Sequence, residues 1–109
     1  MRNERPYCLS IAGFDPCAGA GVLADVKTVE QLEIYGLGVV SALTYQNENN
    51  FEGLEWMQFF DIKKQLLPLL KYPVKAIKIG LIKDFALLEE LLNFVKAVLK
   101  MYLSFGILF

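Results

Sequence analysis

The chain has 109 residues, of which 55% are hydrophobic and 21% charged; this suits one small domain with a real core and argues against a disordered segment. Eleven basic residues against twelve acidic ones give a net charge of -1, which excludes a broad field for nucleic acid or an anionic membrane, so any ligand must be captured locally. Cys8 and Cys17 are too few for a disulfide framework, the N-terminus lacks the apolar core of a signal peptide, and the apolar tail Met101–Phe109 is too short to span a bilayer, so a reducing cytoplasm is the expected location.

Tyr7–Phe14 is mostly apolar and runs into Asp15-Pro16, which predicts a buried strand meeting a loop. After Gly21, the residues Val22, Val26, Val29 and Leu32 recur at helical steps with polar residues between them. That helix is expected to end near Tyr35-Gly36, with Gly36 as its C-terminal glycine. Leu37–Leu43 predicts a second buried strand, and Tyr45–Asn50 is polar and turn-prone. Phe59–Leu70 has helical spacing, with Pro68 expected to kink the helix or end it early. Lys75–Ile79 predicts a third strand closing on Gly80. Asp84 is then placed to cap a helix whose apolar stripe is Leu87, Leu88, Leu91, Leu92, Val95 and Leu99.

This alternation predicts an α/β chain in three layers, with a mainly parallel sheet flanked by helices. Ligands of such sheets sit beyond the carboxyl ends of the strands, where Gly13–Gly21, Thr44–Asn47 and Gly80–Lys83 arrive. The richest segment is Ala12–Gly21, whose glycines and alanines let the backbone approach a ligand and whose helix start offers N–H donors to an acceptor or anion. A turn shaped only by packing fits the same pattern. Gly19-Ala20-Gly21 lacks the GxGxxG spacing and no GxxxxGK[ST] occurs, which disfavours dinucleotide and Walker-type readings. Asp25 can face the crevice as an acceptor or serve the helix dipole as an early acid; Gln46 can read a heteroaromatic edge or sit solvated in its loop.

Leu9-Ser10-Ile11-Ala12-Gly13-Phe14-Asp15-Pro16, Ala18-Gly19-Ala20-Gly21 and Ala24-Asp25-Val26-Lys27-Thr28 resemble the opening of the hydroxymethylpyrimidine/phosphomethylpyrimidine kinases, in the ribokinase-like superfamily. Ser41-Ala42-Leu43-Thr44-Tyr45-Gln46-Asn47 and Ile77-Lys78-Ile79-Gly80-Leu81 follow in the right order, so the resemblance runs from Leu9 to about Lys100. It implies a kinase moving the γ-phosphoryl of ATP to 4-amino-5-hydroxymethyl-2-methylpyrimidine and then to its monophosphate, in thiamine biosynthesis. Asp25 and Gln46 would hold the aminopyrimidine, with Gly13 and Leu81 near the ring; Leu81 replaces a methionine common there. Phe14 and Cys17 stand where small hydroxyl residues are frequent.

In that family ATP and Mg2+ bind largely through the later half of the fold, so the resemblance implies that residues 1–109 are the N-terminal part of one kinase domain, truncated and inactive alone. The tail 101–109 departs from the family, and a frameshift is the expected cause. A small-molecule aminopyrimidine is the implied partner, with a homodimer common among relatives. Two rival readings are a pyridoxal-type kinase and a non-catalytic module that senses the pyrimidine.

Overall fold

In the computed structural model, residues 5–99 and the backbone of residues 106–108 are described. Strand β1 (Tyr7–Phe14) alternates its side chains between two faces, so Leu9 and Ile11 point to one layer of helices and Ser10 to the other. Helix α1 (Gly21–Gln31) covers the Ser10 face, and α2 (Phe59–Leu69) and α3 (Phe85–Leu99) cover the opposite one. The main core lies on the α2/α3 side, where Leu9, Ile11, Val39, Ile62, Leu66, Ile77 and Leu91 have no exposed surface. The expected three-layer α/β arrangement is therefore present. Among the described residues no helix is long and apolar enough to cross a membrane.

The sheet has five strands in the order β3-β2-β1-β4-β5, where β2 is Tyr35–Gln46, β3 Phe51–Trp56, β4 Val74–Ile79 and β5 Gly106–Leu108. β1 pairs in parallel with β2 and with β4, β4 in parallel with β5, and β3 antiparallel with β2. The tail expected to depart from the pattern thus contributes a short strand; its residues 101–105 and 109 lie outside the described residues.

Two sequence expectations are corrected. Helix α1 ends at Gln31, well before Gly36, because Glu33 takes the left-handed conformation (φ 61°) that closes the helix. The Glu33 N–H donates to the Glu30 carbonyl and the Ile34 N–H to the Val29 carbonyl, the paired bonds of a Schellman ending. Gly36 serves packing instead: a Cβ there would stand 2.9 Å from Val29 Cγ2, so its absence lets α1 lie close on β2. Secondly, β2 continues past Leu43 to Gln46 and returns through β3, a strand the sequence reading missed. Asn47 makes this hairpin by accepting the Asn49 and Asn50 N–H groups on Oδ1 at 2.8 and 2.9 Å. Pro68 falls in the last turn of α2 and the helix stops one residue later, in keeping with the early end expected of it. The Asp84 cap is as expected, with its Oδ1 accepting the Leu87 N–H at 2.9 Å.

A side chain completes the sheet where β3 ends. The β2–β3 pairing reaches only Ala42↔Trp56, and beyond it Gln65 of α2 accepts the Val40 N–H and donates to the Val40 carbonyl, both at 2.8 Å. Replacing Gln65 by leucine strands both backbone groups against an apolar neighbour. A loss of about 1–3 kcal/mol in chemical denaturation is expected, with amide exchange at Val40 accelerated.

Candidate functional site

Asp15 organises the glycine-rich loop between β1 and α1. Its Oδ1 accepts the Cys17 N–H at 2.9 Å, its Oδ2 accepts those of Gly19 and Ala20 at 3.1 and 3.2 Å, and its carbonyl accepts the Ala18 N–H at 3.0 Å. The carboxylate thus fills amides just ahead of α1, at Gly19 and at the N-cap Ala20, while no side chain caps the helix itself, so the donors expected at its start are not taken by one. At Gly21 the chain must turn sharply, with φ 71° and no room for a Cβ, which would stand 2.2 Å from the Gly13 carbonyl oxygen.

The loop, the end of β2 and the segment after β4 enclose a crevice of about 250 Å³ lined by Gly13, Asp15, Thr44, Gln46, Lys78 and Leu81, together with small residues of the loop. Gly13, Gln46 and Leu81, three of the four residues singled out from sequence, meet here. Hydrogen bonds fix the walls: Thr44 Oγ1 donates to the Phe14 carbonyl at 2.6 Å and accepts from Gln46 Nε2 at 2.8 Å. The Ser41 hydroxyl donates to the Leu81 carbonyl, tying β2 to the segment after β4. Gly13 leaves room for Leu81, whose Cδ2 would lie 3.1 Å from an added Cβ. The crevice is smaller than the ~300–1,000 Å³ pockets of drug-sized ligands, which suits a single ring with short substituents.

Asp25 is placed differently. It sits in the second turn of α1 and lines an adjacent cavity of about 180 Å³ with Cys8, Ser10, Val26, Thr28, Val29, Leu37 and Lys78. Its Oδ2 accepts from Ser10 Oγ and from Lys78 Nζ, each at 2.7 Å. Lys78 borders both cavities, so it joins Asp25 to the crevice. Burial pushes the Cys8 thiol above its ordinary pKa, and the nearby Asp25 charge adds to the effect.

At the rim, Cys17 Sγ donates to Glu48 Oε2 at 3.4 Å and bridges the loop to the hairpin. That hydrogen bond is the main reason the Cys17 thiol is raised above its usual pKa. Glu48→Gln should therefore lower the Cys17 pKa and speed its alkylation by iodoacetamide at pH 8, while Cys8, half-buried, reacts slowly in both proteins.

The sequence reading missed Asp15, Ser10, Thr44 and Lys78. Lys78 carried a signal: a lysine between Ile77 and Ile79, near the end of a strand with a buried face, needs a partner or a path to water.

Residues 15–103 match the family model described as phosphomethylpyrimidine kinase. The chain belongs to that family. Asp15, Asp25, Gln46, Lys78 and Leu81 all fall inside the matched span. Among relatives, the hydroxymethylpyrimidine/phosphomethylpyrimidine kinase of Aquifex aeolicus is 34% identical over 90 residues, covering 82% of this chain and 35% of that protein. A phosphomethylpyrimidine kinase structure from Clostridium difficile superposes with a TM-score of 0.76 at 33% identity, covering 90% of this chain and 41% of the other. The pyridoxal kinase of Staphylococcus aureus in complex with pyridoxal gives 0.75 at 27% identity, covering 94% and 37%. The chain thus spans about a third of the length of the curated phosphomethylpyrimidine kinase relative it matches.

Proposed function

We propose that this chain supplies the substrate-facing wall of a cytoplasmic, ATP-dependent kinase that phosphorylates 4-amino-5-hydroxymethyl-2-methylpyrimidine and its monophosphate in thiamine biosynthesis. The observation that carries this reading is the meeting of Gly13, Gln46 and Leu81 in one ring-sized crevice at the carboxyl edge of the sheet, within a chain of this family. In it, Gln46 Oε1 accepts from the exocyclic amine, since its Nε2 is engaged by Thr44. Gly13 and Leu81 flank the ring, and Asp25 accepts a hydrogen bond from behind Lys78. A homodimer, the assembly expected from the resemblance, is part of the same proposal.

ATP and Mg2+ are not assigned to residues of this chain. Among the described residues no group of three or more His, Cys, Asp or Glu side chains forms a metal cage, and the Gly19 and Ala20 amides already serve Asp15. No phosphoryl-transfer step is derived through these residues.

A second reading, a pyridoxal-type kinase, is favoured by the nearly equal fit of this chain to the pyridoxal kinase structure. Calorimetric titration with the aminopyrimidine, with pyridoxal as competitor, separates the two. Saturable heat that pyridoxal does not displace is expected, with affinity lowered roughly tenfold or more in Gln46→Ala. Tighter binding of pyridoxal favours the second reading, and a folded protein that binds neither ring sinks both.

A further inference from the structure

Lys78 stands in β4 between two isoleucines with little or no exposed surface, a place where a charged side chain must reach a partner or water. Its ammonium reaches Asp25, and the pair is only partly exposed, at 36% for Lys78 and 24% for Asp25. The strand register explains why a second donor is at hand. Ser10 of β1 is the direct partner of Lys78 across the β1–β4 pair, so both side chains rise side by side on the α1 face. Asp25 comes down onto them from α1, and both donors converge on the same oxygen, Oδ2. Among the described residues nothing donates to Oδ1, which is the oxygen left for a ligand.

Lys78 also forms part of the crevice wall. Its Nζ lies 3.3 Å from where a Cβ on Gly80 would be, so the bare backbone of Gly80 makes room for the ammonium at the strand end. The side chain is common to the crevice and to the cavity that holds Asp25.

We propose that Lys78 is a positioning residue for ligand recognition. With Ser10 it holds Asp25 by Oδ2 in one side-chain rotamer, and so presents Oδ1 to a polar hydrogen of a neutral heteroaromatic ligand at the boundary of the two cavities. A carboxylate held by two donors loses less freedom when the ligand arrives, and its charge is balanced before any contact is made. The inference rests on the reading that Asp25 touches the ligand. Its first test does not need the ligand.

In the unliganded, isotope-labelled protein, three-bond couplings report the χ1 angle of Asp25. A single rotamer is expected in the wild type, with averaging over rotamers in Lys78→Met and a smaller averaging in Ser10→Ala. Lys78→Arg, which keeps the charge and a donor, should restore most of the order. One unchanged rotamer in Lys78→Met overturns the positioning role whatever the ligand does. If Lys78→Met fails to fold, Lys78→Gln, which removes the charge, and Ser10→Ala carry the same comparison, and one unchanged Asp25 rotamer in both overturns it equally.

Titration with the aminopyrimidine then supplies the second arm. Lys78→Met and Asp25→Asn are each expected to weaken binding roughly tenfold, and the double variant no more than the worse single one. Losses that multiply would mean that Lys78 touches the ligand by itself, which overturns a role exerted through Asp25. A wild type that binds no pyrimidine while Asp25 still loses its rotamer in Lys78→Met removes the substrate reading and leaves the clasp standing.

Discussion

Gly21→Ala is expected to cost about 2–5 kcal/mol of folding stability and to abolish ligand binding at the crevice. Two effects add. A left-handed φ of 71° costs an L-residue about 1–2 kcal/mol, and forcing a methyl into filled space costs about 1–3 kcal/mol more. The obstacle is backbone: the added Cβ would stand 2.2 Å from the Gly13 carbonyl oxygen, so the loop or the end of β1 must move. Both belong to the crevice wall, which is why stability and binding should fall together. Gly19→Ala is the matched control. Its Cβ would meet only Asp15 Oδ2, at 3.3 Å, and a small shift of that side chain relieves it. Thermal melts and titrations of the two variants check the contrast; equal losses would show that the loop is simply intolerant of side chains.

Leu91→Ala should destabilise by a similar amount, about 2–5 kcal/mol, through the cavity left behind. Leu91 is fully buried in the middle of α3 and packs in the cluster that contains Ile77 of β4 and Leu66 of α2. Its removal therefore loosens the layer that supports β4, the strand that carries Lys78 and leads to Leu81. Phe85, at the start of the same helix, is 86% exposed, and Phe85→Ala should lie within about 0.5 kcal/mol of the wild type. Urea unfolding of the pair measures both, with the denaturant slope unchanged if unfolding stays two-state.

Much of the fold could be read from periodicity because the elements that bury a face must show it. β1 runs over the predicted Tyr7–Phe14, and the stripe of α3 is buried at Leu87, Leu91, Val95 and Leu99, with Leu88 and Leu92 partly buried beside it. The failures occurred where a local feature has two physical uses. Gly36 looked like a helix terminator, yet it admits the valines of α1, while a glutamate ends the helix in the conformation glycine favours. β3 escaped notice because Glu52, Gly53 and Glu55 interrupt it and its partner strand supplies the pairing.

The site shows the same division. The segments that hold Gly13, Gln46 and Leu81 were legible at the carboxyl edge of a parallel sheet, and the family resemblance pointed to these residues within them. The partners of Asp25 were not, since Ser10 and Lys78 become neighbours only through the register of β1 against β4. Asp15 was read as part of a loop rather than as the acceptor that gives the loop its shape.

The crevice has walls from β1, β2 and β4, adjacent in the sheet but scattered along the sequence. Such a site has no partial existence, because a half-assembled sheet offers at most one wall and no enclosure. A molecule that fits it binds the native chain and nothing less ordered, and at a hundredfold excess over its Kd adds about 2.7 kcal/mol to the unfolding free energy. For a small, marginally stable domain that increment is comparable with the loss from a damaging core substitution. The ligand is thus also a folding aid, and the amount of native protein in a cell would track the supply of the compound it binds.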